Sequence, residues 1–202
     1  MIQHLLAAIL AAVVAANPYL NVPVNSIQPL QVAVVDGPDA TICTAFSINE
    51  KTRMWGTAAH CVLQQDDEGQ IHARQTRMGG KPTVLMFANA ALDVAVIQAE
   101  VSAPAIPLAK RPAVGDVVRV YGYLWGSYSP TIFKGEISNL NADSGDGRYM
   151  LFDMSVGGGH SGSPILDING AVVSVMQISA RGGFSGGALY GYLDELLPYW
   201  QN

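Results

Sequence analysis

The sequence predicts an all-β protein, a sandwich or a barrel, on three observations. Short runs rich in Val, Ile and Tyr are punctuated by Gly and Pro, with 21 Gly and 11 Pro spread over 202 residues. The first run is strand-like, with Leu30, Val32 and Val34 alternating with Gln31, Ala33 and Val35. Helical spacing is confined to 190–200, where Leu193, Leu196 and Leu197 share a face. Half of the chain is hydrophobic and 13% is charged, enough for a sizeable core and unlike a disordered chain. A formal net charge of −5 and the lack of any Lys/Arg run exclude a general attraction to nucleic acid or anionic membranes.

The chain begins with a continuous apolar run over 5–16 (LLAAILAAVVAA), stopped by Asn17 and Pro18. About a dozen residues is too short for a bilayer, which takes about 20. The run fits the core of a secretory signal peptide, with Val14-Ala15-Ala16 as the cleavage site, although Met1-Ile2-Gln3-His4 carries no Lys or Arg. A signal peptide over 1–16 is therefore expected, with a secreted or periplasmic product that keeps no stable membrane anchor. The alternative is a buried or interfacial helix. Beyond it, strands are expected at 28–35, closed by an Asp36-Gly37-Pro38 turn, and at 40–48, 54–58, 83–87 and 94–97, with a polar loop at 66–69. Residues 103–115, with Pro104, Pro107 and Pro112, have the composition of a crossover. Strands at 116–123, 131–137, 149–154 and 171–178 supply a second half. The domain over 17–202 thus divides into an N-terminal half at 28–103, a crossover at 104–115 and a C-terminal half with its helix at 116–202.

The two cysteines, Cys43 and Cys61, form one disulfide if the chain is secreted, or stay free and buried if it is cytosolic. His60 and His72 lie near them, but no C-x-x-C or H-x-x-x-H spacing accompanies them, so no metal site is expected.

The residues that carry chemistry fall in three segments: Thr57-Ala58-Ala59-His60-Cys61, 91–97 (ALDVAVI), and 157–164 (GGGHSGSP). Taken singly, His60 reads as a core histidine, Asp93 as a turn residue and Ser161 as a loop residue. Taken together they form a mechanism. A serine hydroxyl is a poor nucleophile until a base takes its proton. A histidine does that near neutral pH, and a carboxylate fixes its tautomer and stabilises the imidazolium. Glycines before the serine let backbone N–H groups turn toward the oxygen under attack.

These segments resemble the catalytic signatures of trypsin/chymotrypsin-like serine peptidases, in the same order His, Asp, Ser. The tail, GGALYGYLDELLPYW, is similar to the final strand and terminal helix of that family, so the likeness runs from about Gln28 to the end. The resemblance implies two six-stranded antiparallel β-barrels with a C-terminal helix and an active site between them. It implies His60, Asp93 and Ser161 as the triad, Gly159 and Ser161 as oxyanion-hole donors, and a Cys43–Cys61 disulfide around the histidine loop. Protein or peptide substrates follow from it, with no metal or organic cofactor. The rival reading is a non-catalytic relative that binds peptides on the same fold.

His160 departs from the pattern, because digestive members carry there an Asp that pairs with a newly cut N-terminus. That mode of activation is not expected here, and the chain is closer in style to the bacterial and viral branch. His160 is either structural or a titrating group. By motif alignment the primary pocket has Ser155 at its base, Gln177, Ile178 and Ser179 on one wall, and Gly186 and Gly187 on the other. An uncharged base argues against Arg or Lys in the substrate, and the glycines are expected to leave room for medium or large neutral side chains. Arg181 at the rim is the alternative, attracting an acidic side chain. A formal G-x-S-x-G match around Ser185 is a decoy, because an α/β-hydrolase needs a His after its serine and the last His is His160. A subtilisin-like order drawing on Asp36 fails on the near absence of helices.

Overall fold

The computed structural model describes residues 22–32, 41–124, 129–143, 147–179 and 183–201. The expected signal peptide, the Asp36-Gly37-Pro38 turn and Arg181 lie outside them. The N-terminal half holds β1 (Ile27–Val32), β2 (Thr41–Asn49), β3 (Met54–Thr57), the single helical turn α1 (Ala59–Val62), β4 (Leu63–Gln65), β5 (Ile71–Ala73), β6 (Thr76–Met78), β7 (Lys81–Pro82), β8 (Val84–Asn89) and β9 (Val94–Gln98). The C-terminal half holds β10 (Val117–Gly122), β11 (Thr131–Asp143), β12 (Arg148–Phe152), β13 (Pro164–Leu166), β14 (Val172–Ser179) and β15 (Ser185–Gly187), then a 3-10 helix at Tyr190–Tyr199.

The architecture is the expected all-β one, and its two halves close differently. β10-β11-β12-β15-β14-β13 form a closed barrel, sealed where Arg119 and Val120 of β10 pair with Leu166 and Ile165 of β13. Full closure removes unpaired sheet edges. The N-terminal half curls as a seven-stranded sheet in the order β7-β6-β1-β2-β3-β9-β8, with β4-β5 as a separate hairpin. The polar loop expected at 66–69 is the tip of that hairpin. The short strands β4 to β7, β13 and β15 carry too few alternating positions to read from sequence. Residues 101–116 join the halves without a named strand, held by the bridge between Leu108 and Val172.

Three apolar clusters fill the molecule. Leu30, Val32, Ala45, Trp55, Val62 and Ile97 pack inside the N-terminal sheet. Val118, Val120, Ile137, Met150, Phe152 and Ile165 fill the C-terminal barrel. Between the halves lie Ile27, Phe46, Val94, Val96, Val172 and Val175, with Leu193, Leu196 and Trp200 from the C-terminus. Leu193 and Leu196 are completely buried, each contributing about 1.5–3 kcal/mol. Leu197, expected on the same face, is 43% exposed. The helix is 3-10, and at three residues per turn it stacks positions 193, 196 and 199 and turns 197 to solvent. Trp200 donates its indole N–H to the Ile106 carbonyl (2.8 Å), tying the tail to the crossover.

Candidate active site

His60 and Asp93 meet because the N-terminal core leaves them no other direction. Thr57, Ala58, Ala59, Cys61 and Val62 are buried, so His60 is the residue of α1 that turns outward. Asp93 immediately precedes β9, whose residues Val94 to Ile97 are buried without exception. Its own turn is set by Asn89, whose side-chain oxygen accepts the N–H groups of Ala91 (3.1 Å) and Leu92 (3.2 Å), an Asx turn. Asp93 adopts a φ of 50°, in the left-handed region that Asp tolerates better than most residues.

The Asp93 carboxylate grips His60 at two points. Oδ1 accepts the His60 backbone N–H (2.8 Å) and Oδ2 lies 2.8 Å from Nδ1. An ionised carboxylate only accepts, so Nδ1 carries a proton and Nε2 is left as the basic nitrogen. Asp93 is less buried than an acid between apolar flanks suggests, since its side chain keeps 24% of its exposure and that of His60 keeps 45%. The disulfide joins Cys43 to Cys61 as expected, across a sequence separation of 18. Closing such a loop contributes about 3 kcal/mol in the chain-entropy account. The sulfurs lie near His60, but as a disulfide they offer no thiolate to a metal.

The serine loop is a succession of tight turns. His160 donates its N–H to the Gly157 carbonyl (3.3 Å), and of the two residues between them only Gly159 has positive φ, at 97°. That is the signature of a type II turn. Ser163 donates to the His160 carbonyl (2.8 Å) and Gly162 to the Met176 carbonyl (2.8 Å). Gly162 has a φ of 79°, and a Cβ there would stand 2.2 Å from Thr57 Oγ1 and 2.3 Å from the Thr44 carbonyl oxygen, so only glycine fits. The N–H groups of His160, Gly162 and Ser163 are therefore committed. Those of Gly159 and Ser161 have no acceptor among the described residues.

His160 is completely buried. Its Nε2 lies 2.9 Å from Thr131 Oγ1, its Nδ1 3.3 Å from the Gly157 carbonyl, and Phe133 meets it edge-on. Burial pushes its pKa below the ordinary histidine value of 6.5, with the Gly157 carbonyl acting in the opposite sense.

The residues expected to form the primary pocket are only partly brought together. Ser155 is exposed, and the side chain of Ser179 lies outside the described residues. Gln177 does not present its side chain as a pocket wall: it is 5% exposed. Its amide instead donates to the carbonyls of Leu92 (2.7 Å) and Asp93 (3.0 Å), bracing the acid's turn from the opposite barrel. Gly187 faces the barrel interior, toward Ser174 and Ile165. The space over Gly186 is taken by Ile178, whose Cγ1 lies 2.8 Å from where a Cβ would stand. The expectation that these glycines leave an open pocket therefore does not hold at Gly186. Sequence reasoning also missed Thr44, a buried polar residue in the largely apolar β2, whose polarity was its only signal.

Residues 43–175, more than half of the chain, match the trypsin-like peptidase domain family. No curated protein sequence matches the chain. Among solved structures, the Rv3671c protease of M. tuberculosis in its active form is similar, with a TM-score of 0.69 and 21% identity over 89% of this chain and 85% of that one. The serine endoprotease of Yersinia pestis is also similar, with a TM-score of 0.67 and 18% identity over 91% of this chain. The likeness spans 65% of the Yersinia chain. At these identities the structural likeness shows the fold, whereas the family match covers both the His60 and Asp93 segments and the Ser161 loop. The chain belongs to the trypsin-like peptidase domain family.

Proposed function

We propose that Ser161 is the nucleophile, His60 the general base and acid, and Asp93 the group that orients His60, in a peptidase that works through an acyl-enzyme. The observation that carries this reading is the two-point grip of Asp93 on His60, which fixes the tautomer a general base needs. In the first step Ser161 Oγ bonds to the peptide carbonyl carbon and its proton passes to His60 Nε2. The carbonyl oxygen becomes an anion, and the uncommitted N–H groups of Gly159 and Ser161 are the donors proposed to receive it. Collapse breaks the C–N bond, with His60 returning the proton to the leaving amine. Water then repeats the sequence on the ester and frees Ser161.

The substrates are proteins or peptides, cleaved after an uncharged side chain, since Ser155 offers no charge at the expected pocket base. Ile178 over Gly186 narrows that preference to small and medium residues. The disulfide favours an oxidising compartment, so the protein acts outside the cell or in the periplasm. The chain beginning near Asn17 is to be treated with a fluorophosphonate probe beside Ser161→Ala. Labelling of the parent and none of the variant is expected. A folded parent that stays unlabelled overturns the mechanism and leaves a binding protein. A peptide panel varied at the residue before the cut then reads specificity, and a preference for Arg or Lys overturns the pocket reading.

A further inference from the structure

One buried residue holds both residues proposed to receive the oxyanion. Thr44 lies on β2, completely buried where the halves meet. Its backbone N–H donates to the Ser161 carbonyl (2.8 Å). Its hydroxyl accepts the Tyr123 N–H (3.1 Å) and lies 2.9 Å from the Gly159 carbonyl, an acceptor only, so the single hydroxyl hydrogen goes to Gly159. Its carbonyl accepts the Thr57 hydroxyl (2.8 Å), so every polar group of Thr44 is engaged.

The consequence for the loop is specific. A turn with glycines at both central positions, Gly158 and Gly159, has little intrinsic preference for the orientation of the peptide between them. That peptide carries the Gly159 N–H. With the Gly159 carbonyl fixed from one side and the Ser161 carbonyl from the other, each donor residue is anchored on its C-terminal side while its N–H stays uncommitted. Cys43, the preceding residue, is bonded to Cys61 next to His60. One strand therefore references both the base and the hole.

We propose that Thr44 is a positioning residue for the oxyanion hole, acting through its hydroxyl; this rests on the reading of Gly159 and Ser161 as the donors. The test measures fluorophosphonate labelling rates against pH for the parent, Thr44→Val, Thr44→Ala and Thr44→Ser, with thermal unfolding of each. Val keeps the shape and the backbone bond to Ser161 but not the hydroxyl; Ser keeps the hydroxyl. Removing one oxyanion donor outright costs about 100–1000-fold, so loss of its support should lower the rate plateau by about 10–100-fold in Val and Ala. The midpoint of the profile should stay in place, and Ser should recover to within about 3-fold of the parent. Failure of the parent to label bears on the proposed mechanism and not on Thr44. A folded Val variant labelled like the parent overturns the inference, and so does a displaced midpoint, which would place the damage outside the oxyanion hole. Unfolding of both hydroxyl-free variants overturns it too, by making the hydroxyl a requirement of folding.

Discussion

The two sides of the candidate active site are held by different physics. On the N-terminal side, His60 and Asp93 are partly exposed and fixed by strong, directional anchors: a carboxylate making two contacts and a disulfide one residue away. On the C-terminal side, the Ser161 loop holds no charged pair among its described contacts. It is fixed by neutral hydrogen bonds, some of them to the buried Thr44, and by Gly162, which has no space for a Cβ. The first arrangement resists steric change but depends on charge. The second makes no ion pair among its described contacts but is intolerant of a single added atom. A charged pair thus organises one half and close packing the other, and each half should fail in its own way.

The largest effect is expected from a change of charge without a change of shape. Asp93→Asn keeps an oxygen for the His60 backbone N–H, and Asn accepts the positive φ at 93 at least as well as Asp. Its amide N–H would face His60 Nδ1, however, and drive the ring proton to Nε2. Activity should fall about 10,000-fold, equivalent to about 5.5 kcal/mol, with the thermal midpoint nearly unchanged. Steady-state hydrolysis beside a melting curve checks both parts. A loss of stability as large as the loss of rate would mean that the pair is structural first.

The complementary break is steric. Gly162→Ala adds one methyl at a φ of 79°, against Thr57 Oγ1 and the Thr44 carbonyl oxygen, neither of which can retreat without losing a hydrogen bond. The cost should be about 3 kcal/mol or more, seen in the denaturation midpoint, with probe labelling lost in parallel. If the variant keeps full stability, the loop has more freedom than its packing implies, and the contrast between the halves weakens.

The same contrast explains what was legible in the sequence. His60, Asp93, Ser161 and the cysteines announce themselves because those residue types fall in the order of the signatures they resemble, and the long strands β2, β9, β10 and β14 because apolar runs signal burial. The roles of Thr44 and Gln177 were not legible. Each acts across the barrel interface on carbonyls 84 or more positions away in the chain, and a hydrogen bond to a backbone oxygen leaves no mark on its partner's residue type. Gln177 was placed in the pocket by motif alignment alone, and alignment cannot say which way a side chain turns. Ile178 shows the limit from the other direction: Gly186 reads as space until its neighbour is seen to fill it. Closure was legible only through the family resemblance and not from the strand pattern, since it depends on pairing between β10 and β13, and β13 is only three residues long.

The smallest expected effect concerns His160, among the described residues the one titratable group of the serine loop that is buried inside it. Its contacts are Thr131, Phe133 and the Gly157 carbonyl, none of them charged. Thr131 Oγ1 also lies 3.2 Å from the Gly122 carbonyl, so among the described residues the network offers acceptors but no counter-ion to an imidazolium. Burial therefore holds the folded-state pKa below 6.5, while the unfolded chain titrates near that ordinary value. As the pH falls through 6.5 the unfolded state takes up the proton first, so the contribution of His160 to stability is full above that pH and is lost as the pH drops toward the folded-state pKa. His160→Gln retains a donor and an acceptor without a titrating group. Its stability should start lower, through the lost contact with Phe133, yet fall less steeply than the parent's between neutral and mildly acidic pH. Thermal midpoints of both proteins across that range give the comparison. Parallel slopes would move the acid sensitivity to the carboxylates of the N-terminal side and leave the serine loop free of charge effects altogether.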